Sequence, residues 1–145
     1  MNWITEDIAI GDYLEAGDRN FLSLGRFRSV LCLDGSLSKS DPEELGLEEF
    51  VVVELKDGPG NDLRSFQKAV KSLIELVEDF PPVLVQCHAG RSRSVVVVAG
   101  FLMESLNIRP EEAVSKVARK REINISAGLE KHLQLPRLES GWVIS

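Results

Sequence analysis

"PPVLVQCHAGRSRSVVVVAGFLM", residues 81–103, constrains the architecture more than any other part of the chain. Pro81 and Pro82 stop whatever helix precedes them. "VLV" is dense in β-branched and aliphatic residues, as a strand buried on both faces is. His88 to Arg93 then form a short polar and cationic stretch, followed by a second apolar run, Val95 to Met103. By propensity alone "SVVVVAG" is another strand. Two parallel strands need a long crossover between them, and this loop is too short to be one. The continuation "LMESL" suits a helix, so tertiary context overrides propensity here. The unit is read as strand, loop, buried helix starting at about Ser94.

Outward from that unit the elements alternate. "IAIGDYLEA" reads as an early hairpin or short strands, and "DRNFLSLGRF" as a short helix. "SVLCL" and "EFVVVEL" have the Val and Leu density of strands buried on both faces. "KDGPGND" is a turn cluster, ending in Asn61 or Asp62, either of which caps a helix. The helix "LRSFQKAVKSLIELVEDF" carries a one-sided stripe of Phe66, Ala69, Val70, Leu73, Ile74 and Val77. Pro110 opens another helix, "PEEAVSKVARK", and "GLEKHLQL" is a last one. Strands alternating with helices give an α/β fold: a central, mostly parallel sheet of four to five strands flanked by helices on both faces.

The 145 residues have the length of one ordinary domain, read as residues 1–145. No repeat or linker divides them. A hydrophobic fraction of 43% and a charged fraction of 28% describe a soluble globular chain. The net charge of −6 argues against nucleic-acid or membrane-surface partners, which need broad basic faces. The apolar run Val95–Met103 is too short to span a bilayer, and the N-terminus lacks a signal-peptide pattern. Two cysteines suggest a reduced, cytoplasmic setting rather than a disulfide framework. Two cysteines and two histidines without ligand spacing give no metal site, and no nucleotide-binding loop is present. No cofactor is expected, and a monomer is the simplest state.

The loop itself has a specific chemistry. Successive N–H groups converging before a helix N-terminus make a nest for an anion with several oxygens. Gly90 supplies the backbone freedom for the turn. Arg93 offers a planar fork that grips two phosphate oxygens at once. The same positive environment favours the thiolate of Cys87, whose unperturbed pKa would be about 8.5. Such a loop holds an oxyanion and aims a nucleophile at its central atom. The phosphate-binding set is therefore His88, Ala89, Gly90, Arg91, Ser92 and Arg93.

A cysteine, five residues, an arginine and a serine resemble the signature loop of the cysteine-dependent protein tyrosine phosphatases. "AGRSRS" running into a hydrophobic helix is most similar to the dual-specificity branch, in its small single-domain form. The resemblance runs from about Ile8 to Leu135 and is strongest over Val83–Met103. It implies that Cys87 attacks phosphorus to form a phosphocysteine and that Arg93 stabilises the equatorial oxygens. It implies that Ser94 hydrogen-bonds the sulfur and eases its departure. It also implies a general acid on an upstream loop, for which Asp57 in "ELKDGPGND" stands at the matching position; the same carboxylate then activates water. Asp62 competes for that role but has a sufficient task as a helix cap. One position departs from the family, which usually carries His before the cysteine: Gln86 cannot carry charge, which implies a less acidic cysteine or a slower enzyme.

The implied partners are phosphorylated proteins or small phosphomonoesters, with phosphotyrosine and phosphoserine/phosphothreonine both admitted to a shallow cleft. Alternatives are a phosphoinositide or other phospholipid as substrate, suggested by His88 and Arg91, and a catalytically weakened phosphate-binding module. A rhodanese or an arsenate reductase also places a cysteine before an anion loop, but fits Ser94 and Asp57 less well. Cys32 reads as core; a redox partnership with Cys87 is the alternative. The run Arg119 to Arg121 reads as a solvated helix face, and His132 as a residue without a functional partner.

Overall fold

A computed structural model describes residues 1–37, 40–129 and 131–134. Five strands form one sheet: β1 (Asn2–Trp3), β2 (Ile8–Gly11), β3 (Ser29–Cys32), β4 (Glu49–Val52) and β5 (Val83–Gln86). Their order is β1-β2-β5-β3-β4, antiparallel only between β1 and β2. Among the described residues six helices accompany them: α1 (Tyr13–Ala16), α2 (Arg19–Leu24), α3 (Leu63–Asp79), α4 (Arg93–Leu106), α5 (Pro110–Ala118) and α6 (Lys131–Gln134).

The period-2 alternation of the strands builds two cores. Ile8, Ile10, Leu31, Val83 and Val85 face one side, with Phe66, Val70 and Leu73 of α3 and the apolar residues of α4. Ala9, Val30 and Leu84 face the other, with Ala16 of α1, Leu22 of α2 and Phe27. Helices thus cover both faces, as the sequence pattern predicts. The two connections leaving β2 and β5 depart on opposite faces. That divergence opens a crevice at the carboxyl ends of neighbouring parallel strands, where open α/β sheets bind ligands.

α4 settles the ambiguity of "SVVVVAG". Val95, Val96, Val97, Val98 and Ala99 are all fully buried in it, packed against β5, α3, α5 and α6. A helix apolar on every side belongs in the middle of a core. Two other expectations are corrected. "YLEA" is helical rather than extended: Asp12 Oδ1 accepts from the Glu15 amide at 2.9 Å while Glu15 Oε1 accepts from the Asp12 amide at 3.0 Å. This reciprocal capping box initiates α1 and ends the strand. β4 is half-buried rather than enclosed, because it is the sheet's edge. Asp62, not Asn61, caps α3, accepting from the Ser65 amide at 2.7 Å. "GLEKHLQL" is helical only over α6 among the described residues, and Leu135 with the tail beyond it lies outside them.

Candidate active site

Cys87 follows the last residue of β5, at the crevice, and the residue is only 2% exposed. The chain then turns through Gly90, whose φ of 69° lies in the left-handed region. A Cβ there would stand 2.7 Å from the Gly11 carbonyl oxygen, so both the angle and the close approach require glycine. At the far end of the loop, the Ser94 amide donates to Cys87 Sγ at 3.4 Å. The contact expected between Ser94 and the sulfur is thus made by the backbone, while Ser94 Oγ is buried without a hydrogen-bond partner among the described residues. Among the described residues, none of the amides from His88 to Arg93 has a protein acceptor.

Arg93 opens α4. Its Nη1 donates to the Leu55 carbonyl at 3.1 Å, while its buried Nε has no protein partner. That bond ties the phosphate-type loop to the segment carrying Asp57. The segment is stapled internally by Asn61, whose Oδ1 accepts from the Lys56 amide at 2.7 Å and whose Nδ2 donates to the Lys56 carbonyl at 2.8 Å. Asn61 therefore shapes the loop carrying Asp57 instead of capping the helix.

Asp57, Cys87, His88, Ala89, Arg91, Ser92 and Arg93 line one cavity of about 240 Å³, together with Asn124 and Ser126. Partial burial pushes the Asp57 carboxyl up, but hydrogen bonds from Ser126 and Ser92 and the charge of Arg93 outweigh it and hold the group below its ordinary value. Ser92 precedes α4 without capping it; its Oγ accepts from the Ser126 amide at 2.9 Å. Its side chain is thus engaged with Asp57 and with the 124–126 segment rather than with the first amides of α4.

The remaining rim residues are less available than their charges suggest. His88 stacks on Tyr13, with centroids 4.6 Å apart and planes 8° from parallel, while its carbonyl accepts from the Tyr13 amide at 3.2 Å. Arg91 leans toward Glu122 at 3.8 Å.

Sequence reasoning missed Asn124, Ser126 and Arg121. Asn124 donates its amide to the Arg91 carbonyl at 2.8 Å, docking its segment beside the loop. The expectation of a solvated face at Arg119–Arg121 holds for Arg119 but not for Arg121. Its guanidinium donates to the carbonyls of Gly90 at 2.7 Å, Ala89 at 3.2 Å and Ile10 at 3.3 Å, and to Asn2 Oδ1 at 2.9 Å. His132 is buried and stacks on Phe66, with centroids 5.1 Å apart. Burial lowers its pKa, partly offset by Asp62.

Cys32 and Gln86 are register partners on β3 and β5. Residues adjacent along a strand face opposite ways, so the neighbour of Gln86, Cys87, faces away from Cys32. Cys87 lies in the α3/α4 core, whereas Cys32 Sγ points to Asp34 Oδ1 at 3.5 Å. Burial raises the Cys32 pKa. The pairing of Cys32 with Cys87 is therefore geometrically disfavoured.

The family model described as dual specificity phosphatase, catalytic domain, matches residues 32–139. The chain belongs to the dual-specificity phosphatase family. This places it among the cysteine-dependent protein tyrosine and dual-specificity phosphatases, enzymes that act on phosphorylated substrates. It is similar to dual specificity protein phosphatase 1 of Arabidopsis thaliana, 27% identical over 132 residues, covering 90% of this chain and 66% of that one. It is also similar to dual specificity protein phosphatase 22 of Homo sapiens, 29% identical over 136 residues, covering 92% and 72%. The chain thus spans about two thirds to three quarters of these relatives' length. The fold matches the crystal structure of human DUSP28 with a TM-score of 0.79 at 21% identity, over 92% of this chain and 93% of that one.

Proposed function

We propose that this chain is a metal-independent phosphomonoesterase that dephosphorylates phosphotyrosine and phosphoserine/phosphothreonine proteins through a phosphocysteine. The observation that carries the reading is the loop itself: a recessed Cys87, six following amides without acceptors among the described residues, and a buried Arg93 Nε likewise without a partner among them. Amides of His88, Ala89, Gly90, Arg91, Ser92 and Arg93 would take the phosphoryl oxygens, with the Arg93 guanidinium stabilising them as charge redistributes. The Cys87 thiolate attacks phosphorus; the P–O bond to the leaving group breaks as Asp57 gives that oxygen its proton. Asp57, now ionised, takes a proton from water, whose oxygen attacks phosphorus and expels the sulfur. The Ser94 amide, and the Ser94 hydroxyl after rotation, receive the departing thiolate.

Two alternatives find less support. A phospholipid substrate would use the rim cations, yet Arg91 is directed to Glu122 and His88 is stacked on Tyr13. A pure phosphate binder has no need of a carboxylate held between Ser92 and Ser126. We also propose a single catalytic domain over residues 1–145, monomeric and cytoplasmic. Both cores share one sheet, and both cysteines are free thiols. No helix among the described residues is long and apolar enough to cross a membrane.

The test is hydrolysis of p-nitrophenyl phosphate in EDTA by wild type and Cys87→Ser, with phosphotyrosine and phosphothreonine peptides beside it. Turnover that survives EDTA and vanishes in the variant is expected. Activity surviving Cys87→Ser, or a wild type inert on every phosphomonoester, would overturn the proposal.

A further inference from the structure

The Arg121 guanidinium sits behind the anion loop. It bonds the carbonyls of Ala89 and Gly90 on one side and reaches Ile10 and Asn2 on the other. It does not line the Cys87 cavity. In a trans peptide, C=O and N–H point in opposite directions, and among the described residues the only cis bond is Pro81–Pro82. Drawing back the carbonyls of Ala89 and Gly90 therefore turns the amides of Gly90 and Arg91 the other way, toward the cavity. Those two amides are among the six that have no acceptor among the described residues.

The clamp falls where the loop is least able to hold itself. Gly90 lies between the two peptide planes, and a glycine permits either plane to rotate at little steric cost. No side chain at Gly90 can resist rotation, since a Cβ would collide with the Gly11 carbonyl oxygen at 2.7 Å. Bonds from a cationic donor are roughly twice as strong as neutral ones, enough to choose one orientation.

We propose that Arg121 is a positioning residue for the oxyanion cradle: it fixes the Ala89–Gly90 and Gly90–Arg91 peptides so that their amides face the phosphoryl oxygens. This rests on the function proposed above, but its readout is anion binding as well as turnover.

The experiment compares wild type, Arg121→Ala and Arg121→Lys, with Arg119→Met as a control that removes an exposed neighbouring cation. Inhibition by orthovanadate, binding of inorganic phosphate, kcat/KM, and alkylation of Cys87 by neutral iodoacetamide are measured. Losing one oxyanion donor costs about 10²-fold or more, so Arg121→Ala is expected to weaken vanadate and kcat/KM by about that factor. Iodoacetamide alkylation should stay within about twofold, because the sulfur is held at the other end of the loop. Guanidinium added to Arg121→Ala should restore vanadate binding, an effect that a general loss of packing would not show.

Vanadate affinity within about twofold of wild type in a folded Arg121→Ala overturns the inference, as does an equal loss in Arg119→Met. Should Arg121→Ala fail to fold, Arg121→Lys decides: one ammonium nitrogen with three donors cannot reproduce four bonds spread over Nε, Nη1 and Nη2, and undiminished vanadate affinity there overturns it too. If wild type proves inert toward all phosphomonoesters, the functional proposal falls. Phosphate and vanadate binding by the same variants then still tests the clamp.

Discussion

Replacing Asp57 with Asn tests the acid assignment most sharply. The amide keeps an oxygen for the Ser92 and Ser126 hydroxyls, so the loop geometry survives, but it has no proton to give. A positioned general acid contributes about 10²–10⁴-fold. The size of the loss depends on the leaving group. p-Nitrophenolate departs with little protonation, so its loss belongs at the low end, whereas the alkoxide of a phosphothreonine peptide belongs at the high end. In the free enzyme the two serines and Arg93 hold the carboxyl below its ordinary value. Free-enzyme ionisations govern kcat/KM. Above that pKa the competent, protonated fraction falls tenfold per pH unit.

The assay is kcat/KM for both substrates from about pH 4.5 to 8, expressed as the ratio of wild type to Asp57→Asn. Ionisation of the phosphate and of Cys87 is common to both proteins and cancels in the ratio. The ratio should be largest at the acid end and shrink as pH rises. The proposed second step, with Asp57 as base, does not enter kcat/KM if phosphocysteine formation is irreversible. A ratio that is flat with pH, or equal for the two leaving groups, would refute the assignment. Stability follows the opposite sense. A depressed carboxyl stabilises the fold above its unfolded pKa and loses that contribution as pH falls through its folded pKa. Because the group is largely exposed, the effect on melting is small.

Asp62→Ala should lower the melting temperature by removing the cap of α3, while leaving the pH profile of kcat/KM unchanged, which separates it from Asp57. Gly100→Ala should destabilise the protein by about 1 kcal/mol in denaturant unfolding: the helix gains about 1 kcal/mol in propensity, but overpacking costs about 1–3. The new Cβ would sit 2.9 Å from Val70 Cγ2, a fully buried side chain with nowhere to move. Peroxide treatment should yield no Cys32–Cys87 disulfide in a non-reducing digest analysed by mass spectrometry, because the two side chains face opposite sides of the sheet.

What could be read from the chain alone was whatever depends on neighbours in sequence. The loop from Cys87 to Ser94 is contiguous, so its spacing and residue types already describe the proposed anion nest. The stripe of α3 and the all-round apolarity of α4 placed both in the core. The strand ending at Gly11 was also legible, and the helix after it should have been, since "DYLE" is a capping box in plain view. Asn124, Ser126 and Arg121 were not. They come from residues 121–126, where no helix or strand forms, and they reach the loop across 31 to 34 positions of sequence. Nothing local distinguishes Arg121, which bonds three carbonyls, from Arg119, which stays exposed. The sheet edge behaves likewise: "EFVVVEL" looks like an inner strand, and only strand order makes β4 an outer one.

Gln86 brings these threads together. Its place beside Cys87 suggested a direct influence on the sulfur, but strand alternation sends the two side chains to opposite faces. Gln86 is fully buried; its Nε2 donates to Ser36 Oγ at 3.2 Å, and its side chain also hydrogen-bonds Asp34. Its Oε1 is buried without a partner. It therefore acts as an anchor between the end of β5 and the turn after β3, at the cost of one unsatisfied acceptor. Such an acceptor costs about 1–3 kcal/mol, comparable to what two hydrogen bonds contribute. Gln86→Met keeps the volume and removes both effects, so its unfolding free energy should stay within about 1 kcal/mol of wild type. The pH dependence of Cys87 alkylation should not move. A displaced alkylation profile would mean that Gln86 reaches the sulfur through the backbone it anchors, and the division of labour between the two faces of β5 would fail.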